Sequence, residues 1–384
     1  MNKINFLTAG ESHGKALVGI VEGIPAGLSI DEEYINAQLS RRQKGHGRGG
    51  RMKIEKDQVE ILSGVRNGKT IGSPISLMIK NLDWKNWKDI MSVGVNKDVD
   101  KVTLPRPGHA DLAGVKKYNF DDIRNVIERS SARETTMRVA LSCICRKLIE
   151  DLGISLCSHV TAIQNIESSF VFGKDDLANN INERADSSSV RCLDVNAESD
   201  MIDAIDSARK KGDSVGGQFE VIATGLPYGL GSYTHWDRKL HAQISGMLMS
   251  INAMKSIEFG NIDTIRNQTG SNVHDQMHSE DGKIKRITNN SGGLEGGMTN
   301  AQPLVLRMTM KPLSSLVKPL DSVDIQSKEE KKAHTERTDS CAVPAASIIA
   351  ENTLSFILAD AILDKFGGDS MGQLKNHYKI SAKF

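Results

Sequence analysis

The stretch from residue 343 to 366 constrains the fold more than any other part of this 384-residue chain. It is apolar or small almost throughout, enters through Pro344 and stops at Gly367-Gly368, the asymmetry of a helix with proline near its start and glycine past its end. Glu351, Asn352, Asp360 and Asp364 interrupt it. Such polar groups make a poor bilayer span, so the segment predicts a core helix that the rest of the chain must enclose.

Three other stretches read as helices. The first places Ser29 and Glu32 in capping-box spacing ahead of Ile35 and Leu39 on one face. The second runs from about residue 121 to 152 and stops at Gly153, with an unusually polar middle, Arg129-Ser130-Ser131-Ala132-Arg133-Glu134. The third covers roughly residues 237–254. Alternating segments at 219–223 and 304–310, with 59–65 and 75–79 behind them, read as strands. Helices and strands come in blocks and not in strict alternation, so the expected class is α+β and not a doubly wound parallel sheet. No tandem repeat occurs and no linker forces a domain cut, so residues 1–384 are taken as a single large domain. Residues 95–103 and 327–334 are the candidate mobile loops.

Charge narrows the function. Lys and Arg number 49 against 48 Asp and Glu, a net charge of +1. A dedicated nucleic-acid binder carries a basic surplus, and a chain this balanced can hold an anion only by local clustering. The five cysteines, Cys143, Cys145, Cys157, Cys192 and Cys341, are odd in number and form no CxxC pair. That argues against a disulfide framework and for a reducing compartment. The first residues lack the basic-then-apolar design of a signal peptide, so the expectation is a cytoplasmic protein with no membrane and no nucleic-acid partner.

Chemistry concentrates in a few segments. Residues 41–53, Arg41-Arg42-Gln43-Lys44-Gly45-His46-Gly47-Arg48-Gly49-Gly50-Arg51-Met52-Lys53, hold six cations, four glycines and no acid. A bare basic run is usually solvated; interleaved glycines instead let backbone fold closely around a ligand while arginines supply forked donors. Gly45, Gly47 and Gly50 match GxGxxG, but a predicted helix precedes them where the dinucleotide fingerprint needs a strand. An RNA-binding segment would repeat with aromatics, and one copy stands here. An ordered loop closing over a small anion is the favoured reading. Pro105-Arg106-Pro107-Gly108-His109-Ala110-Asp111 presents Arg106 and His109 on a stiff backbone, which suits His109 to acid–base work. Thr8-Ala9-Gly10-Glu11-Ser12-His13-Gly14 is either a ligand approach or a polar turn after the first strand. Glu336-Arg337-Thr338-Asp339-Ser340 puts Asp339 two residues from a cation, and the glycine-rich 290–300 segment is a ligand approach or a flexible hairpin.

Taken together, these segments resemble the chorismate synthase family. The matches are GESHG at 10–14, EGIPAG at 22–27, RRQKGHGRGGRMKIE at 41–55, PRPGHAD at 105–111, RSSARETTMRVA at 129–140, GLGSY at 229–233, SINAMKSIEFG at 250–260, GGLEGGMTN at 292–300 and ERTD at 336–339. The resemblance implies a layered sandwich of two antiparallel β-sheets enclosing a helical core, usually assembled as a homotetramer. It implies a carbon–oxygen lyase of the shikimate pathway and aromatic amino-acid biosynthesis. That enzyme converts 5-enolpyruvylshikimate 3-phosphate to chorismate and phosphate by 1,4-anti-elimination with reduced FMN. A separate flavin reductant would be needed, with NAD(P)H (the NADP couple included) only an indirect source of reducing power. His13 corresponds to the histidine that protonates the leaving phosphate, His109 to the one that handles the proton on reduced flavin, and Asp339 to the carboxylate that relays the ring proton away. Ser12, His13, Arg42, Arg48, Arg51, Arg106, Arg133 and Arg337 correspond to substrate ligands. His109, Arg129, Ser130, Ser131, Asn252, Ala253, Gly296, Lys311, Pro312, Leu313, Ser314, Ser315, Arg337 and Thr338 correspond to the FMN cradle, and no metal is implied. Thr338, Ser315 and Ser340-Cys341 depart from the family pattern, which bears on loop rigidity. The competing readings are a net-redox FMN enzyme and an RNA-binding protein using residues 41–53.

Overall fold

The computed structural model describes residues 3–50, 54–95, 99–173, 176 and 178–381. Four strands, β1 (Asn5–Ala9), β2 (Ala16–Glu22), β3 (Val59–Ile61) and β4 (Ile75–Lys80), pair antiparallel in the order β1-β2-β4-β3. Five more, β5 (Ser155–Ile163), β6 (Ile166–Glu167), β7 (Gly217–Thr224), β8 (Met254–Phe259) and β9 (Leu304–Met310), pair antiparallel in the order β8-β9-β7-β5-β6. The helices that position the site are α1 (Glu32–Gln43), α2 (Asp111–Tyr118), α3 (Arg124–Ser130), α4 (Glu134–Glu150), α5 (Ala178–Ser187), α6 (Val195–Lys210), α7 (Leu240–Leu248) and α8 (Val343–Phe366). The α+β class expected from the block arrangement is the class found.

The first sheet alternates and buries its apolar face on a helix, while β5 of the second is buried along nearly its whole length. In β4, Ile75, Leu77 and Ile79 are fully buried, and in β2 Leu17 and Val21 point the same way. Gly19 lies between them, and a Cβ there would come within 2.7 Å of Met137 and Leu141 on α4. Glycine therefore lets the sheet backbone approach that helix closely. Helix α4 packs on this sheet, α8 packs on β5 and β7, and α4 and α8 pack on each other. Among the described residues, α8 is the one helix long and apolar enough to cross a membrane, and 89% of its most apolar window is buried in the protein.

Sequence and structure part company where side chains compete with the backbone. The long helix expected from about 121 to 152 is two helices: Ser131 is extended, with φ −64° and ψ 141°. Its hydroxyl accepts from the Arg133 N–H at 3.3 Å and meets the Ser12 hydroxyl at 3.0 Å, the local bonding by which serine diverts a helix. The first helix is capped by Asp31, which accepts from the Tyr34 N–H at 2.8 Å. Ser29 instead forms an isolated bridge with Lys69, and Glu32 accepts from the Ile61 N–H. The third helix ends at Leu248. Ala253 adopts φ +67° and the chain leaves as strand β8, held by β9. Within 327–334, Glu330–Lys332 pairs with Asp321–Val323, so that segment is tied down. The expectation for 95–103 lies partly outside the described residues.

A buried ionic cluster ties these elements together. Glu351 on α8 is wholly buried and takes hydrogen bonds from Arg41 at 3.0 Å, Arg146 at 2.6 Å, the Ser158 hydroxyl at 2.6 Å and Asn182 at 3.1 Å. Arg191 approaches it to 3.8 Å and pairs with Asp186, which also holds Arg41 at 2.6 Å, while Arg146 pairs with Glu150 at 2.9 Å. Burial alone would raise the Glu351 carboxyl, but the charges of Arg41, Arg146 and Arg191 prevail and hold it well below the usual carboxylate range. Removing one partner of such a cluster leaves buried charge uncompensated, at a cost of about 3–5 kcal/mol. Urea unfolding of Glu351→Gln at pH 7 is expected to show a loss of that size, and a loss under about 1 kcal/mol would contradict it. Because the folded value is depressed, this stabilisation is present above the unfolded value near about pH 4.3. It is lost as pH falls towards the folded value, so the gap between the two proteins should narrow on acidification.

Candidate active site

Segments distant in sequence end at one cavity of about 410 Å³, inside the roughly 300–1,000 Å³ range of small-molecule sites. The turn after β1 brings Ser12 and His13, the end of α1 brings Arg42, and the following loop brings Arg48. The Pro-Gly turn before α2 supplies Arg106 and His109, and the α3–α4 break supplies Ser130, Ser131 and Arg133. Asn252 and Ala253 come from the bend before β8, Lys311, Leu313, Ser314 and Ser315 from the exit of β9, and Arg337, Thr338 and Asp339 from the approach to α8.

The glycine-rich loop is docked along its described length. Gly45 and Gly47 have φ of +119° and +85°, a region in which a side chain would be strained. The His46 N–H donates to Ser189 O at 2.7 Å, His46 Nε2 lies 2.7 Å from Asp206, and the Ser340 N–H donates to Gly47 O at 2.8 Å. Arg41, first of the cations, turns into the Glu351 cluster and away from the cavity. Arg51 lies outside the described residues.

Three guanidiniums crowd one side of the cavity. Arg42, buried, donates to Thr135 Oγ1 at 3.1 Å and Ala132 O at 3.3 Å, with Asp57 at 3.5 Å. Arg133 is held by Asp57, by Asn81 at 3.0 Å and by Glu55 at 3.6 Å. Arg48 pairs with Asp339 at 2.7 Å. Burial pushes Arg42 down to about 9; Asp57 opposes this, and the neighbouring charges of Arg48 and Arg133 add to it. Arg42 thus stays a cation at neutral pH in surroundings short of negative charge, which an anionic ligand would relieve.

Two histidines flank this cluster, each held by a carboxylate. His13 Nδ1 lies 2.8 Å from Glu128, and its ring stacks on Trp87 with centroids 3.8 Å apart. His109 Nδ1 lies 2.5 Å from Asp111, whose two oxygens also take Arg106 at 2.8 and 3.0 Å. Burial opposes ionisation of Asp111, but the bonds from His109 and Arg106 prevail and leave it far below the usual carboxylate range. An ionised carboxylate only accepts, so the Nδ1 proton stays on His109 and Nε2 is the nitrogen that exchanges. Asp339 accepts from the Gly49 N–H at 2.6 Å as well as from Arg48. Arg337, half exposed, pairs with buried Asp83.

A family model described as chorismate synthase matches residues 4–363. Curated chorismate synthases from Listeria welshimeri and Enterococcus faecalis are each 50% identical, over 97% and 98% of both chains respectively. A protein from Bacillus cereus named chorismate synthase 2 is 50% identical over 97% of both chains. The chain belongs to the chorismate synthase family. A crystal structure of chorismate synthase superposes with a TM-score of 0.79 at 39% identity, covering 99% of this chain and 97% of that one.

Of the residues the family resemblance singled out, most meet at the cavity. Arg129 does not: it lines a neighbouring pocket with Thr8 and Asn252, donating to Thr8 O at 2.8 Å and Gly10 O at 3.1 Å. Gly296, in the turn between Leu294–Glu295 and Met298–Asn300, and Pro312 are likewise off the lining. The motif reading gave no role to Glu128, Trp87, Asp57, Glu55 or Asp111. Asp111 had a local signal, standing two and five residues from His109 and Arg106 in a stiff turn. The others reach their partners across long stretches of chain.

Gly49 offers a test of how closely the loop must sit. A Cβ there would lie 2.6 Å from Thr338 O and 3.2 Å from the Asp339 carboxylate. Gly49→Ala should displace Arg48 and Asp339 together and raise KM by at least about tenfold, or 1.4 kcal/mol. Steady-state kinetics on the soluble variant would show it; an unchanged KM would mean that the loop does not shape the ligand site.

Proposed function

We propose that this cavity binds 5-enolpyruvylshikimate 3-phosphate beside reduced FMN and eliminates phosphate and a ring proton by a 1,4-anti route to give chorismate. The observation that carries the reading is the crowding of Arg42, Arg48 and Arg133, with Arg106 and Arg337 also on the lining. The substrate bears two carboxylates and a phosphate. Desolvated anions side by side need several guanidiniums, since each left unpaired would cost several kcal/mol.

The residues present fit a flavin mononucleotide. Ser130 Oγ is buried on the cavity wall with no hydrogen-bond partner among the described residues. Lys311 and the Ser314 hydroxyl converge on Gly108 O, and Ile127, Ile251, Leu313, Ala346 and Ile349 supply apolar surface for a flat ring. Ser130, Ser131, Asn252, Ala253, Lys311, Leu313, Ser314, Ser315, Arg337 and Thr338 would hold it, with His109 beside them. When bound, reduced flavin lends electron density to the reacting ring and is recovered unchanged.

The chain's own groups do the rest. Guanidiniums fixed before the ligand arrives stabilise the charge that grows on the departing phosphate. His13 gives that phosphate a proton from Nε2. Asp339, held by the Gly49 N–H and Arg48, accepts the proton leaving the ring. His109, its Nδ1 proton fixed by Asp111, holds or moves a proton at Nε2 beside Arg106. On the same reading the chain is a single domain, a layered sandwich whose two sheets enclose the helices. It assembles as a homotetramer in the cytoplasm and draws reduced flavin from a separate reductant fed by NAD(P)H. The support for these points is the family membership across residues 4–363.

Anaerobic incubation with reduced FMN and the substrate, following phosphate and the flavin spectrum, tests the reaction. Phosphate release with the flavin still reduced is expected. No phosphate, or one reducing equivalent consumed per product, would overturn it. His13→Ala and His109→Ala should each lower turnover by roughly 10²–10⁴-fold, the usual scale for acid–base groups. Near-normal turnover in both would remove those roles.

A further inference from the structure

We infer that Glu128 is the positioning residue of His13, clamping its backbone and its ring with one carboxylate so that Nε2 is the nitrogen presented to the ligand. The inference rests on the role given to His13 above. Glu128 stands in the last turn of α3 and is 3% exposed. Its Oε2 accepts from the His13 N–H at 2.7 Å and its Oε1 takes His13 Nδ1 at 2.8 Å. Both oxygens therefore serve the same histidine, one fixing where the residue sits and the other how its ring is turned. A carboxylate only accepts, so the bond places a proton on Nδ1. That leaves Nε2 as the atom able to exchange a proton with a ligand.

The ring plane is fixed independently. Trp87 stacks on the imidazole at an interplanar angle of 22°, and its own Nε1 donates to Asp83 at 3.3 Å. The Ser12 N–H donates to the Glu128 carbonyl at 3.0 Å, tying the Ser12–His13 turn to the end of α3 a second time. The charged groups around the pair come from several elements. Arg124, one turn back on α3, lies 3.4 Å from Glu128 Oε1 and donates to Glu336 at 2.7 Å. Glu336 is bonded in turn by His334 at 2.9 Å. From the other side, Asp83 pairs with Arg337 behind Trp87. Arg124 sets a cation beside the buried Glu128 carboxylate. A glutamine in place of Glu128 can still accept from the His13 N–H through its carbonyl oxygen, but its amide nitrogen could meet Nδ1 only as a donor, which would move the ring proton to Nε2.

The test uses the full-length protein labelled at histidine ring carbons, with His13 assigned through His13→Asn. In Glu128→Gln the His13 ring signals should move from the Nδ1–H pattern towards the Nε2–H tautomer, and kcat should fall roughly 10–100-fold, the scale on which removing a histidine's orienting partner acts. KM should change far less, and Glu128→Asp should restore part of the loss. A Glu128 that only supports the fold would lower the thermal midpoint and leave the His13 tautomer where it was, which would overturn the inference. The tautomer is read without substrate, so it is separable from the proposed reaction. If His13→Ala turns over normally while Glu128→Gln still shifts the tautomer, the role of His13 falls and the clamp stands.

Discussion

The site depends on a carboxylate that lies outside it. Glu351 stands wholly buried on the core helix, and Arg41, Arg146 and Arg191 close around it from three other parts of the chain. Each charge is tolerable there only because the others are present, so the cluster acts as a register mark between α1, α4 and α8. Arg41 is the consequential member. Successive residues on a helix are turned by about 100°, so with Arg41 drawn to Glu351, the next residue, Arg42, is carried round to Thr135, Asp57 and the cavity. The loop that follows starts from that fixed point and is pinned again at Ser189, Asp206 and Ser340.

The same economy explains how a chain of net charge +1 can gather Arg42, Arg48, Arg106, Arg133 and Arg337 on one cavity. Each arginine on the lining meets a carboxylate, and two of them share one: Asp57 for Arg42 and Arg133, Asp339 for Arg48, Asp111 for Arg106, Asp83 for Arg337. A guanidinium has five N–H donors in a rigid fork. A partner on one edge fixes its plane without exhausting it. Most of the cost of desolvating these cations is therefore met in folding, and little reorganisation is left for the moment of reaction.

What was legible in the sequence was what local chemistry decides. The apolar run with proline at its head and glycines at its tail became α8, and 304–310 became β9 with its bounds intact, because an unbroken apolar run and a strict alternation are both carried by the element's own residues. The polar middle at 129–134 was seen as odd but not as a break, since the deciding contact is a hydroxyl 119 residues away, Ser12 against Ser131. The stretch 254–259 received no strand reading, the third helix being carried on to about 254, because its half-buried pattern becomes a strand only when β9 pairs with it. Most lining residues were reached through family motifs, which mark positions but not what holds them. Glu128 lies 115 residues from His13 and Asp57 lies 76 from Arg133, distances over which no spacing rule operates.

One arrangement occurs twice at the cavity. At each histidine an arginine faces a buried carboxylate, and the carboxylate meets the histidine's Nδ1: Arg106–Asp111–His109 on one side, Arg124–Glu128–His13 on the other. The first is built within six residues and owes its geometry to a proline-stiffened turn. The second is assembled from two segments and is stiffened instead by the indole under the ring. In both, the carboxylate meets Nδ1 and so decides which nitrogen carries the fixed proton, and at Asp111 the bonds from Arg106 and His109 hold the carboxyl ionised against burial. Two rings held this way stay distinct in what surrounds them: His13 is seated against Trp87, and His109 beside Arg106 and the Lys311 segment. A single cavity can thus hold two histidines in separate orientations, because each is set by its own support.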